Sequence, residues 1–361
     1  MKLRTRPRFA DEVGPDLSPE WPPRWRVGFG TKAGTILGEA TEWQSLQVNL
    51  RLSDACDVSL SCSGQALESG LITELVTDMW LWLGDDLVFR GRVTGIDDSI
   101  GDDGHEVTMR ATDYRGLLDR RILVDGDTLV FTQVAQADIA WYLVNQAQLN
   151  VSGGMGIVRG IAPAGRLRDR EFEPGQTVGE LLDNLSDVID GFDYEVDPLM
   201  RFNVFYPRRG VSTGLALDYG GTISAVERKT STADFANYVR QTGADGTTPA
   251  KAYTPELAAG TAPEGRWELS VSDPDLKLQG TVNNRAARIL ADKQRRPDQY
   301  DLTVVAGQWQ NLRLEPGDWA TLKVQSTRLN LNERVRVLEI AHDIGMDGEY
   351  TTKLATVRDP A

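Results

Sequence analysis

The chain has 361 residues, of which 40% are apolar and 25% charged, with 35 Gly and 16 Pro. That length exceeds one ordinary domain, and the composition excludes a collagenous or wholly disordered polypeptide. With 53 acidic against 39 basic residues the formal net charge is −14, which argues against gripping nucleic acid over the whole surface.

A local basic patch stays open, and a negatively lined passage would keep DNA from sticking to its walls. The longest apolar runs, such as Met79 to Leu83, are five or six residues, far below the ~20 that span a bilayer. The N-terminal Met1-Lys-Leu-Arg has cations with no apolar stretch behind them, so no signal peptide is expected. A soluble chain outside the general secretory route is the expectation.

Ser45-Leu-Gln-Val-Asn-Leu-Arg-Leu52 alternates apolar and polar residues, as a half-buried strand does, and Asp57 to Cys62 repeats the pattern. Cys56 and Cys62 would lie ~20 Å apart along an extended strand, too far for a disulfide. They read as small hydrophobes in a reducing compartment.

Arg90 to Thr112 lies without gaps on Arg334 to Thr356, and 11 of 23 positions are identical. Chance would match roughly one or two. The identities are Arg90/334, Arg92/336, Val93/337, Ile96/340, Ile100/344, Gly101/345, Asp103/347, Gly104/348, Thr108/352, Ala111/355 and Thr112/356. The same offset of 244 places Asp57-Val-Ser-Leu on Asp301-Leu-Thr-Val. Two copies of one domain are therefore expected, each a small antiparallel barrel or sandwich. Within each copy a β-branched strand enters Gly-Asp-Asp-Gly or Gly-Met-Asp-Gly and a second strand leaves. Asp-Gly supplies the positive φ of a tight hairpin, so Gly101, Asp103, Gly104, Gly345, Asp347 and Gly348 read as structural turn residues. The acidic run Asp97 to Asp103 fails the calcium-loop pattern, because Ile100 occupies a ligand position when Asp98 starts the loop.

The middle differs in kind. Thr132 to Ala147 carries Val134, Ile139, Leu143 and Val144 at helical spacing. Ser152 to Gly175 reads as a loop holding Arg159, Arg166, Arg168 and Arg170, either solvated or ordered by an acidic partner or DNA. Thr177-Val-Gly-Glu180 matches a capping box that opens a helix buried through Leu181, Leu182, Leu185, Val188 and Ile189 and ended by Gly191. Phe192 to Tyr206 reads as a hairpin. Thr242 to Arg266 reads as a second loop, and Thr281 to about Arg296 as a helix stopping before Pro297.

Catalytic patterns are weak. The two histidines, His105 and His342, sit beside the hairpin turns, and neither pairs with Cys at zinc-ligand spacing. Gly28-Phe-Gly-Thr-Lys-Ala33 approaches a dinucleotide fingerprint, but Gly34, Thr35 and Gly38 follow where a helix should. No catalytic, cofactor-binding or metal-binding residue is assigned, and the chain reads as no enzyme.

A β-domain ending in a hairpin and then Ala111-Thr-Asp-Tyr-Arg-Gly-Leu-Leu-Asp-Arg-Arg121 resembles the tail-hub proteins of long-tailed bacteriophages, also called minor tail or baseplate hub proteins. Thr177-Val-Gly-Glu-Leu-Leu and Gly191-Phe-Asp-Tyr-Glu-Val-Asp-Pro198 are similar to a helix-plus-hairpin segment of that family. The resemblance begins at about residue 40 and leaves Trp21-Pro-Pro-Arg-Trp25 unexplained. It implies a mainly β fold with an α+β insertion and two tube-like antiparallel domains. The divisions expected are an N-terminal arm (1–29), a first tube-like β-domain (30–125), an α+β middle domain (126–208), a connecting β/loop region (209–280) and a helix plus second tube-like domain (281–361).

It further implies a virion protein assembled in the host cytoplasm as a homotrimer. Three chains would present six β-domains, matching a six-fold tail tube to a three-fold tip. Its partners would be the distal tail protein, the tape-measure protein and tip, fibre or receptor-binding proteins, with DNA passing during genome ejection. No cofactor and no membrane insertion are implied. The alternatives are a tail-tip cell-wall hydrolase, the hub of a contractile injection or type VI secretion-like spike, and a carbohydrate-binding module using some of the nine tryptophans.

Overall fold

The computed structural model describes residues 25–40, 42–64, 72–102, 104–123, 128–188, 190–229, 235–273, 276, 278–294, 298–345 and 349–358. A first run of strands comprises β1 (Trp25–Thr31), β2 (Ile36–Ala40), β3 (Ser45–Arg51), β4 (Asp57–Ser63), β5 (Thr77–Leu83), β6 (Asp86–Gly101) and β7 (Gly104–Asp113). The short helix α1 (Tyr114–Leu118) follows. The middle carries β8 (Leu129–Ala135), α2 (Gln136–Leu149), β9 (Val158–Arg159), β10 (Leu167–Phe172), α3 (Val178–Ser186), β11 (Asp193–Val196) and β12 (Arg201–Phe205). Next come β13 (Ser212–Asp218), β14 (Ile223–Lys229), β15 (Tyr238–Thr242), β16 (Ala250–Tyr253), α4 (Pro255–Ala258), β17 (Glu268–Ser272) and α5 (Gln279–Lys293). The chain closes with β18 (Gln299–Val304), α6 (Trp309–Leu312), β19 (Trp319–Gln325), β20 (Asn330–Gly345) and β21 (Tyr350–Arg358).

The fold is mainly β, and both repeat copies lie in one 13-stranded sheet ordered β14-β18-β21-β20-β3-β4-β7-β6-β5-β1-β2. β19 pairs with the first half of β20, and β13 lies parallel to β19. The copies meet edge to edge where Glu339 to Gly345 of β20 runs antiparallel to Arg51 to Ser45 of β3. Alternating inward residues fuse them into a single core, with Leu46, Val58, Leu60 and Met109 from one copy and Leu302, Val335, Ile340 and Leu354 from the other. Each such side chain contributes roughly 1.5–3 kcal/mol by leaving water.

β20 reproduces β6 at the offset of 244 from end to end. The bulge falls between Val93 and Gly95 in one and between Val337 and Glu339 in the other. The returning strands depart from that offset. Gly101 and Gly104 face each other across two residues, whereas Gly345 N donates to the Glu349 carbonyl across three. Ala111 faces Val93, but Thr356 faces Val337. A one-residue slip turns every side chain to the other face. The identities Thr108/352, Ala111/355 and Thr112/356 therefore do not occupy equivalent places; Met109 and Leu354 do. Asp57 and Asp301 are not equivalent either, since the pairings align Leu60 with Leu302.

The middle unit has its own core, in which Leu143 and Val144 of α2 and Leu181, Leu182 and Leu185 of α3 meet Tyr194 and Phe202 of the β11–β12 hairpin. Tyr114 and Leu118 of α1 also insert here. The Thr177 hydroxyl accepts from Glu180 N, while the Glu180 carboxylate accepts from Thr177 N, so the capping box forms. Other sequence expectations are corrected. The expected 132–147 helix begins at Gln136, because β8 pairs with β10 and takes Val134 into a strand. α3 ends at Ser186 with Asp187 as its cap, short of Gly191. Ile189 lies outside the described residues.

The expected loops also hold structure. Ser152 to Gly175 contains β9 and β10, and Thr242 to Arg266 contains β16 and α4. β1 starts at Trp25, within the segment read as an arm, and β13 and β14, in the segment read as a connector, belong to the large sheet. β15, β16 and β17 form a separate small sheet against α5 through Val239, Ala250, Val282 and Ala286.

Candidate assembly surfaces

The arginines shared by the two copies clamp the β-sheet to the middle unit. Asp78 of β5 is fully buried (0% exposed) and receives Arg92 Nε at 2.7 Å, Arg90 Nη2 at 3.2 Å and the Tyr114 hydroxyl at 2.9 Å. Burial and the Asp78 carboxylate beside it push the Tyr114 phenol up to about 12. In the second copy Arg334 and Arg336 lie over the Trp319 ring, and Arg336 pairs with Asp193 at the start of β11. It also donates to the Arg209 carbonyl at 3.1 Å. One arginine pair thus serves two junctions, reaching α1 in the first copy and β11 in the second. Sequence matching finds the arginines, but nothing in it marks Asp78 or Asp193 as their partners.

Among the turn residues, Gly104 has φ +116° and supplies the left-handed position; Gly101 does not need one. Asp103, Asp347 and Gly348 lie outside the described residues. The neighbouring acids are engaged on the surface, Asp97 with Arg110 and Asp98 with His105. Among the described residues no group of three or more His, Cys, Asp or Glu side chains is arranged to hold a metal ion.

The two long strands differ at their distal halves. In β20, Ile340 and Ile344 are 1% and 6% exposed under the β3 side of the sheet. In β6 the corresponding segment, Gly95 to Gly101, has no strand on that edge among the described residues, and Ile100 is 81% exposed. At the opposite extreme of the sheet β14 is, among the described residues, an edge strand paired only with β18, and Ser224, Ala225, Glu227, Arg228 and Lys229 are exposed.

The four arginines of the expected loop all lie around the middle unit. Arg159 pairs with Asp138 of α2, and Arg166 with Asp190 at 3.1 Å. Arg168 donates to Gln136 Oε1 and to the Asp190 carbonyl. Arg168 and Arg170 lie on β10 and approach Arg288, with Arg285 close to Arg170. Burial, joined by these like charges, pulls the Arg168 and Arg170 guanidinium groups below their ordinary range. The Nε atoms of Arg170 and Arg285 are enclosed and have no hydrogen-bond partner among the described residues. Beside them a groove of about 620 Å³ opens between the middle unit and α5, lined by Val188, Asp190, Arg208, Asn284 and Arg288. Sequence reading placed Arg166, Arg168 and Arg170 together but missed Arg285 and Arg288, which come from a helix more than a hundred residues later.

Strongly perturbed groups elsewhere have structural roles. Asp113, pushed up to about 7 by burial, caps α1 by accepting from Gly116 N at 2.8 Å. His342 is held down at about 3 by burial, with Tyr350 and Thr352 hydroxyls on Nδ1 and the Trp25 and Trp309 rings against it. Burial likewise raises the thiols of Cys56 and Cys62, which are free. Trp25, Trp80 and Trp309 belong to the interior rather than to a sugar-stacking platform.

No protein-family model matches the chain, and no curated protein matches it in sequence. Solved structures do match. A tail protein from Neisseria meningitidis superposes with TM-score 0.67 at 13% identity, covering 93% of this chain and 97% of that one. The 43 kDa tail protein of prophage MuSo2 from Shewanella oneidensis gives 0.65 at 15% identity, covering 92% and 98%. This chain has the fold of phage tail proteins. The tail-protein fold extends to an Escherichia coli component of the type VI secretion system, described as structurally similar to the T4 tail proteins gp27 and gp5. That match has TM-score 0.51 at 13% identity and covers 88% of this chain and 74% of that one.

Proposed function

We propose that the chain is a non-enzymatic structural protein of a phage tail, the hub that joins the six-fold tail tube and distal tail ring to a three-fold tip. The observation that carries this reading is the edge-to-edge union of two repeat copies in one sheet. Three chains so built supply six similar β-units, which reconciles six-fold with three-fold symmetry. The hub is a minor tail protein of the virion, assembled in the host cytoplasm. It binds the distal tail protein and the tape-measure end and carries fibre or receptor-binding proteins. DNA passes through its pore during genome ejection without specific binding, which the net charge of −14 favours by repulsion. The groove beside Arg166, Arg168 and Arg170 is the docking place for an acidic segment of one of these partners.

Cryo-electron microscopy of the native assembly tests the reading. A three-fold ring with six superposable β-units around an open pore is the expected result. A monomer whose two units enclose a cleft overturns it. Clearing of a cell-wall zymogram, lost on mutating a single carboxylate, favours the hydrolase instead. The hub of a type VI-like injection machine is the second reading, favoured by the shared fold with the E. coli component; a needle or spike protein bound beneath the ring would select it.

A further inference from the structure

We infer that β14 of one chain pairs antiparallel with the distal half of β6 in a neighbouring copy, reproducing between chains the β3–β20 joint seen within one. This rests on the reading of the chain as a ring-forming protein and names the surfaces that close the ring.

The correspondence follows from the pairings alone. Across the first copy one row of residues runs Leu46, Leu60, Met109 and Ile96. The equivalent row in the second copy runs Val226, Leu302, Leu354 and Ile340. β14 is therefore the second copy's β3, with Val226 in the place of Leu46. Within the chain β3 is covered on its outer edge by β20; among the described residues β14 has no such cover. Likewise β20 has β3 along its distal half, whereas the distal half of β6 has no strand beside it among the described residues. Each copy lacks what the other carries, so a second chain completes both edges.

The register is fixed by the internal joint. Leu46 faces Ile344, so Val226 faces Ile100. Gln47 faces Asp343, Val48 faces His342 and Asn49 faces Ala341. The counterparts across chains are then Glu227 with Ser99, Arg228 with Asp98 and Lys229 with Asp97. Both ion pairs are of opposite charge, in directly opposed positions where such pairs stabilise a sheet. Within its own chain Asp97 already pairs with Arg110 and Lys229 with Asp301. Joining the edges makes an alternating row of four charges, and Asp98 with His105 meets Arg228 with Asp298 in the same way. The joint also covers Ile100, whose counterpart Ile344 is buried. Before pairing, Glu74 Oε1 accepts from Ile96 N at 2.7 Å and occupies one position of the open edge.

The experiment mixes two full-length variants, Ser99→Cys and Glu227→Cys, under mild oxidation. Opposed residues in antiparallel strands lie ~4.5–5.5 Å apart, within the span of a disulfide. The expected product is a cross-link joining the peptide of position 99 to that of position 227 of the other chain. Pairing Ser99→Cys with Ala225→Cys, two positions out of register, gives much less. Ile100→Asp lies on an exposed site, so the variant folds, and it abolishes both the cross-link and the oligomer. Light scattering on the same samples separates the two readings. A closed oligomer without the 99–227 cross-link overturns this joint while leaving a ring intact. A monomer at every concentration, without cross-link, overturns joint and ring together.

Discussion

Ile100 and Ile344 occupy the same place in two copies of one 16-residue strand, yet the first is 81% exposed and the second 6%. The difference lies in what covers each strand. Truncation therefore separates packing from intrinsic strand preference. Ile344→Ala is expected to cost about 2–5 kcal/mol through lost transfer and a residual cavity. Ile100→Ala in the isolated chain is expected to change stability by less than about 0.5 kcal/mol. Chemical denaturation of both variants at low protein concentration checks this, and equal losses would contradict it.

Asp78 is the buried counter-charge for Arg90 and Arg92. Removing one member of such a group leaves the others buried without compensation, which typically costs roughly 3–5 kcal/mol. Asp78→Ala should show that loss, while Asp85→Ala in the exposed turn nearby should be neutral. The junction with α1 should loosen first, visible as faster hydrogen exchange at residues 114–118.

His342 gives the chain an acid-sensitive point. Its folded pKa of about 3 lies below the ordinary value of 6.5, so the unfolded chain takes up the proton first. Stability from this group is complete above pH 6.5 and falls as the pH drops toward 3, by roughly 2 kcal/mol between pH 7 and 5. Asp113 acts in the opposite sense. Its carboxyl is raised to about 7, so its contribution is full below the ordinary value of 3.8 and is lost as the pH rises to 7. The two slopes oppose each other, and the informative measurement is a difference. His342→Gln, compared with the unaltered chain from pH 7 to 5, should lose less stability by that amount; parallel curves would refute the assignment.

The crowded guanidinium groups of Arg168, Arg170, Arg285 and Arg288 should welcome an anion. At a phosphate concentration ten times the dissociation constant, mass action adds ~1.4 kcal/mol, or about 2 °C in melting temperature. Arg288→Ala should diminish the shift. Chloride at matched ionic strength producing an equal rise would reduce the effect to screening.

Local chemistry made parts of this fold legible. Thr177 and Glu180 marked a helix start because a capping box needs only four residues. The long strand of each repeat showed itself because Arg90, Arg92, Val93 and Ile96 recur where the geometry recurs. The return strands misled, since one extra residue in the second turn moves Thr352 and Ala355 to faces their apparent counterparts do not share. Val134 fits helical spacing as well as a strand, and only β10, some thirty residues away, decides between them. The arginine groove was half visible: Arg166, Arg168 and Arg170 are neighbours in the chain, while Arg285 and Arg288 arrive through the packing of α5.

The pairing of Arg51 with Glu339 across the central joint has a consequence for synthesis. Their separation means that β3 and β4 leave the ribosome long before β20 exists. Until then the nascent chain carries an open sheet edge whose proper cover is encoded about 290 residues later. Long-range pairing of this kind is slow and leaves intermediates prone to mispairing. A message truncated before β20 would therefore yield not a smaller working unit but a half-sheet with adhesive flanks, and β20 serves as its release from that hazard.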